Sequence, residues 1–321
     1  PYRFPYQASL FERKTVFEEV ATAVHGSERL ASWERVNFAA MEQVDQQFMA
    51  ENRAVSPDIL SMEGDRGVVL DGEYGTSIMI NEEDHVRVQA MAPGYGGLEL
   101  WETVNRIDDE LGRRLHFAFD VQRGFLTCCP TNSGTGLRVS FLMHLPGLVL
   151  TKTIDQVLQG ASQMGVSTRG FFGEHSQVFG NFFQLSNQAT FGATEVESVE
   201  NTRAIIRRVM DFERAARERI LRDAKVEFED KVFRSYGILL HARTLNMGEM
   251  LNLTSALRFG LDCGIFKGVS VEMLNRMIML AMPAHLQLHH GRVMSEEEVG
   301  IERARLVQGL LAGDGRDKSC G

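Results

Sequence analysis

The sequence predicts an α+β fold: an antiparallel sheet with helices on one side, followed by an all-helical region. Three observations carry this. Short apolar or alternating runs cluster between Val68 and Asn187. Hairpins and single helices join them without regular βαβ alternation, which favours antiparallel pairing. Beyond Glu195 the periodic segments all take the spacing of a helix, about 3.6 residues per turn.

Taken in order, residues 14–25 read as a helix. So do residues 28–52, with apolar side chains at Leu30, Trp33, Val36 and Met41. Ser56-Pro57 breaks the pattern, and a Gly- and Asp-rich stretch covers 64–75. Strand signals follow at 68–70, 76–81 and 86–91. Gly94, Gly96 and Gly97 make a loop before an amphipathic helix at 98–115, whose stripe is Trp101, Val104, Ile107 and Leu111. Strands are predicted at 124–129, 137–144, 166–172 and 182–187, with one helix between them at 154–164. Helices are then predicted at 195–223, 227–242, 247–262, 270–282 and 295–311, and Ser295-Glu296-Glu297-Glu298 fits a capping box. The Met-rich run at Met273, Met277, Met279 and Met282 reads as core filling. The expected domains are 1–220 and 221–321, with a frayed polar tail at 313–321.

Composition narrows the function classes. With 44% apolar and 24% charged residues, the chain sits at the globular average and can bury a substantial core. A net charge of −9 argues against nonspecific nucleic-acid binding. No apolar run approaches the roughly 20 residues of a membrane span. The four cysteines, Cys128, Cys129, Cys263 and Cys320, have neither metal spacing nor a disulfide framework, so a reducing cytoplasm is expected. No protein-held metal is expected, because paired Cys or His-Glu-x-x-His motifs are absent; His285 and His289 read as a helix end after Pro283. No secretory leader is visible. The chain opens at Pro1-Tyr2-Arg3-Phe4-Pro5 without an initiator Met, as a sequence lacking its start would.

Three stretches carry chemistry. The first is Asn81-Glu82-Glu83-Asp84-His85-Val86-Arg87. The second is Cys129-Pro130-Thr131-Asn132-Ser133-Gly134-Thr135-Gly136-Leu137-Arg138. The third is Arg169-Gly170-Phe171-Phe172-Gly173-Glu174. Each offers carboxylates or guanidinium groups beside strand-like sequence. Such a set suits a cationic acceptor next to a phosphorylated anion. A guanidinium is a poor nucleophile, since its lone pairs are delocalised and its pKa lies above about 12. Carboxylates fix its planar fork and draw charge or a proton from the attacking nitrogen; Glu83 and Glu174 are the candidates. Arg87, Arg138 and Arg169 are placed to ring a triphosphate with positive charge, with Mg²⁺ completing the neutralisation. Asn132, Gly134, Thr135 and Gly136 form a tight loop whose backbone can approach the nucleotide. Cys129 opens that loop and can meet the guanidinium as a partly ionised thiol. Taken singly, each motif is an ordinary turn, strand end or packed cysteine; their conjunction points to a site. There is no Gly-x4-Gly-Lys-Ser/Thr loop, His-Arg-Asp loop or Asp-Phe-Gly.

All three stretches resemble the signatures of the guanidino (phosphagen) kinases, and over nearly its whole length the chain resembles the bacterial protein-arginine kinases. The resemblance extends through His144-Leu145-Pro146-Gly147, Gly180-Asn181-Phe182-Phe183, Glu213-Arg214-Ala215-Ala216-Arg217-Glu218 and Phe233-Arg234-Ser235-Tyr236-Gly237. It implies a glutamine-synthetase-like catalytic sheet, ATP with Mg²⁺, and transfer of the γ-phosphoryl group to arginine side chains of proteins. It further implies guanidinium-binding roles for Glu83 and Glu174, an active-site role for Cys129, and phosphate binding by Arg87, Arg138 and Arg169. Implied partners are unfolded proteins, a heat-shock repressor, a zinc-binding activator protein, a Clp-type unfoldase and protease, and a second copy through the C-terminal domain. Alternatives are a kinase for free arginine or another small guanidino compound, and an inactive adaptor. Two departures from the resemblance stand out. The family's phosphate-binding arginine-rich segment, expected just before Pro1, is not in the sequence. The family's phosphoarginine-sensing Arg-Asp-x-x-Arg-Ala reads here Val299-Gly300-Ile301-Glu302-Arg303-Ala304, which puts activation by phosphoarginine in doubt.

Overall fold

A computed structural model describes residues 2–72, 75–170 and 179–313. The chain divides into two compact units: residues 1–139 with 187–204, and residues 140–186 with 205–321.

The first unit is organised by a four-stranded antiparallel meander, β1 (Glu34–Asn37), β2 (Gly67–Leu70), β3 (Thr76–Ile80) and β4 (Val86–Ala90), in the order β1-β2-β3-β4. Its register pairs Val69 with Ile78 and Met79 with Arg87. β2 and β3 are apolar at nearly every position and buried throughout. Such strands need cover on both faces. Val69, Ile78 and Ile80 pack on α1 (Leu10–His25) and α3 (Leu98–Gly112) through Val16, Phe17, Val20, Ile107 and Leu111. Val68, Leu70 and Met79 face the other way, onto Phe38, Met49, Val55 and Ile59. Helices on one side only, the sequence expectation, is therefore corrected: α2 (Gln43–Glu51) and short 3-10 turns close the second face. The unbroken helix expected at 28–52 is corrected too. Val36 is β-branched and pairs with Val68 as part of β1, so pairing with the sheet overrides the helical spacing. Ser9 N-caps α1 in a capping box with Glu12, which starts that helix earlier than its apolar stripe suggests. The strand expected at 124–129 shrinks to β6 (Gly124–Phe125), paired with β5 (Phe119–Asp120), and Pro130 opens a 3-10 turn at Pro130–Asn132.

The second unit holds a three-stranded sheet in the order β7-β9-β8: β7 (Ser140–His144), β8 (Val166–Arg169) and β9 (Phe182–Asn187), with β7 and β9 antiparallel. With it come α4 (Pro146–Leu150), which the sequence reading missed, and α5 (Ile154–Gln163). The rest is helical: the later part of α6 (Glu195–Asp223), then α7 (Lys225–His241), α8 (Met247–Asp262), α9 (Val271–Leu280), α10 (Pro283–His290) and α11 (Glu296–Leu311). Their core is built on Phe228, Val232, Leu257, Phe259, Leu274, Met277 and Val307. Met277 and Met282 lie inside it, as expected of gap-filling thioethers. The capping box predicted at Ser295 is present.

Candidate active site

The acidic loop between β3 and β4 begins where Asn81 turns the chain in a left-handed conformation (φ 58°) that asparagine tolerates. Its amide donates to the carbonyls of Arg13 (2.8 Å) and Asp65 (2.7 Å), and its backbone N–H donates to His85 O (3.1 Å). His85 closes the loop. One ring nitrogen meets Asn81 Oδ1 at 2.8 Å and the other Arg3 O at 2.7 Å. Burial pushes this imidazole below its ordinary range, while the Arg3 carbonyl and Asp84 oppose that shift.

The three acids of this loop take different roles. Glu82 is 1% exposed. One carboxylate oxygen accepts from Arg87 Nη1 (2.7 Å) and the Ser56 hydroxyl; the other accepts the Glu83 backbone N–H (2.7 Å). The Arg87 side chain keeps 43% of its surface exposed. Asp84 accepts the Cys128 backbone N–H at 2.6 Å, which ties the acidic loop to the cysteine segment. Burial pushes the Asp84 carboxyl above its ordinary range, and burial followed by Asp84 and Glu83 does the same to the Cys128 thiol. The 82–84 triplet is thus one buried anchor, one backbone held by it, and one tether.

The loop after Cys129 is equally determined. Cys129, half-buried, has its sulfur 2.9 Å from the Thr131 hydroxyl. Asn132 accepts from Arg138 Nη2 at 3.2 Å, so two predicted phosphate-site residues meet. Gly134 exchanges backbone hydrogen bonds with Phe125 (2.8 and 3.2 Å). Its φ is 107°, and a Cβ there would lie 2.4 Å from Thr190 O; only glycine fits. Thr190, which sequence reasoning missed, acts as a clasp. Its hydroxyl donates toward Thr131 O and Ser133 O, and its carbonyl accepts the Thr135 N–H (3.0 Å). Gly136 is also left-handed (φ 67°).

The first unit therefore brings Glu83, Arg87, Cys129, Asn132, Gly134, Thr135, Gly136 and Arg138 onto two tethered loops. Arg169 ends β8 in the second unit, and Glu174 lies outside the described residues. Arg303, left over from the sensing motif, is buried and donates to Ala281 O (2.8 Å) and Leu245 O (2.9 Å). At Gly300 a Cβ would meet Thr244 Oγ1 at 2.7 Å. Among the described residues, no helix is long and apolar enough to cross a membrane.

Comparisons with known proteins agree with this chemistry. The family model described as "ATP:guanido phosphotransferase, C-terminal catalytic domain" matches residues 15–216, and "Protein-arginine kinase McsB C-terminal domain" matches residues 225–319. The chain is 38% identical to the protein-arginine kinase of Halalkalibacterium halodurans, covering 97% of this chain and 87% of that one. It is 36% identical to the Bacillus subtilis protein-arginine kinase, covering 96% and 85%. The Moorella thermoacetica protein-arginine kinase is 43% identical, over 84% and 77%. Among solved structures, lombricine kinase superposes with a TM-score of 0.58 at 25% identity, over 67% of this chain and 62% of that one. The duplicated taurocyamine kinase from Schistosoma mansoni reaches 0.61 at 23% identity, over 73% and 35%, a likeness of fold alone. A catalytic-domain match over more than half the chain, a helical-domain match behind it and relatives aligned along most of both lengths lead to one assignment: this chain belongs to the protein-arginine kinase family of ATP:guanido phosphotransferases.

Proposed function

We propose that the protein transfers the γ-phosphoryl group of ATP to arginine side chains of proteins, using the two tethered loops of the first unit. One observation carries the reading at the level of the site: buried Glu82 holds both the backbone of an acid suited to a cationic acceptor, Glu83, and a half-exposed guanidinium suited to phosphate, Arg87. Incubation with ATP and either casein or free arginine tests it. Acid-labile phosphate on casein is the expected result; label on free arginine alone would reassign the substrate, and none on either would remove the activity.

In this reading Glu83, with Glu174, accepts the N–H groups of the target guanidinium and fixes its plane. A guanidinium nitrogen attacks the γ-phosphorus; the N–P bond forms, the bond to the ADP oxygen breaks, and the proton on that nitrogen passes to a carboxylate. Cys129 lies against the guanidinium. The donor set fits a polyphosphate: Arg87, Arg138 and Arg169 present planar cationic forks, and the 132–136 loop brings backbone close. Arg138 is steadied for this by Asn132. Mg²⁺, carried on the phosphates, supplies further neutralisation of the developing charge.

The same reading extends to the cellular setting. The substrates are unfolded proteins and a heat-shock repressor, marked for a Clp-type unfoldase and protease in the cytoplasm. The enzyme works as a homodimer with a zinc-binding activator protein. Residues 1–220 form the catalytic domain and 221–321 the dimerisation and regulatory domain. Phosphorylated proteins that accumulate when the unfoldase is withdrawn would support this setting; an unchanged pool would count against it.

A further inference from the structure

The turn at residues 4–8 lies outside every motif used so far. Gln7 and Ala8 donate backbone N–H to Phe4 O (2.8 and 2.9 Å), which puts Tyr6 at the apex. Two points ahead of Tyr6 connect the turn to the acidic loop. At the first, Arg3 O accepts from His85 (2.7 Å), and the Tyr2 ring meets the His85 ring edge-on at 6.3 Å. At the second, Pro5 O accepts from Arg13 Nε (3.0 Å), and Arg13 in turn is tied to the loop, its O accepting from Asn81 (2.8 Å). Asn81 and His85 are the two ends of the loop that carries Glu83. The fold therefore places Tyr6 beside that loop through two connections, yet the residue is 57% exposed and its ring is not packed away. Tyr2, by contrast, commits its hydroxyl to Glu19.

The surroundings of Tyr6 select a cation. Partial burial, then Asp58, Glu82, Glu83 and Cys128, push its phenol above the ordinary range, so the ring lies within electrostatic reach of the acidic loop. An aromatic face among carboxylates attracts a planar cation and repels an anion.

We propose that Tyr6 is a substrate-binding residue: its ring face receives the guanidinium plane of the acceptor arginine as that side chain enters beside Glu83. This rests on the kinase reading above. It makes the N-terminal turn part of the acceptor site and leaves the nucleotide site untouched.

The test is steady-state kinetics of the full chain with ATP and unfolded casein, varying each in turn. Tyr6→Ala is expected to raise KM for casein about three- to thirtyfold, the range of a partly desolvated cation–aromatic contact, with KM for ATP within about twofold. Tyr6→Phe should restore the casein KM, and Tyr6→Leu, apolar but without a π face, should behave as Tyr6→Ala. Phe11→Ala, which removes another exposed aromatic (78% exposed), should leave the casein KM in place. An active wild type whose casein KM is insensitive to Tyr6→Ala overturns the inference while the kinase reading stands. So does Leu serving as well as Phe, or Phe11→Ala raising KM equally. A wild type that makes no phosphoarginine overturns the kinase reading, and this inference with it.

Discussion

Replacing Glu82 with Gln isolates how the site is held. The carboxylate accepts from Arg87 and Ser56 on one oxygen and from the Glu83 backbone on the other, at 1% exposure. A glutamine keeps the volume but owns one acceptor. If its oxygen faces Arg87, its NH2 opposes the Glu83 N–H; if it is turned over, the NH2 opposes the Arg87 guanidinium. Either orientation leaves one donor without its acceptor, worth about 1–3 kcal/mol where that donor is shielded from water. The Arg87 contact is half-exposed, so its own share is discounted to about 1 kcal/mol or less. The first orientation therefore costs mainly the Glu83 tether, about 2 kcal/mol in urea unfolding. The tether fixes the backbone of the acid proposed to meet a flat cation, and a misplacement of about 1 Å there should lower kcat about a hundredfold. Phosphoarginine formation on casein measures the rate, and urea titration measures the stability. A Glu82→Gln protein within about 0.5 kcal/mol of wild type, with kcat within about twofold, would refute the anchoring role.

Three further outcomes follow from other parts of the chain. Glu213→Ala orphans the Gly147 and Leu148 N–H groups (2.9 Å each) and Arg217 Nε (2.7 Å), and should lower stability by about 3–5 kcal/mol in urea unfolding. Gly134→Ala places a methyl 2.4 Å from Thr190 O at a positive φ; it should cost about 2–4 kcal/mol and weaken nucleotide binding by equilibrium dialysis, and an unchanged protein would deny the clasp. Glu12 is held at about 2, below its usual 4.5, by Arg3 and then by Ser9. Its depressed value means the stabilisation is complete above about 4.5 and fades as pH falls toward 2. The melting difference between wild type and Glu12→Gln should accordingly be present at neutral pH and vanish by the bottom of that window.

The pattern of apolar residues reported the sheet of the first unit well, because β2 and β3 are buried on both faces and read as continuous runs. It misreported residues 28–52, where Trp33, Val36 and Met41 mimic a helical stripe while Val36 is claimed by Val68 across the sheet. Pairing partners distant in sequence leave no local signal. The same limit shapes the site. The Glu82-Glu83-Asp84 run was legible as acidic, but the division into buried anchor, held backbone and tether depends on Ser56, Arg87 and Cys128 arriving from elsewhere. Thr190 and Tyr6 carry no motif. Each sits on a turn or clasp that only the folded chain brings beside the two loops.

One device recurs in this protein with opposite results. In each unit a buried glutamate accepts backbone N–H groups and one arginine: Glu82 with Arg87, Glu213 with Arg217. The arginines differ in what remains for other partners. Arg217 also donates to Asp262 (3.0 Å) and His144 O (3.4 Å), lies 5.0 Å from the Phe259 ring centre, and keeps 21% of its side chain exposed. Arg303 goes further, buried with its guanidinium on two carbonyls. Arg87 keeps 43% exposed. A guanidinium offers five donors in a rigid plane, and donors already committed to protein oxygens are not offered to phosphate. Residue identity cannot separate these arginines; the count of protein acceptors around each one can. By that measure Arg217 and Arg303 hold the scaffold together, and Arg87 keeps the larger exposed share, as its proposed meeting with phosphate requires.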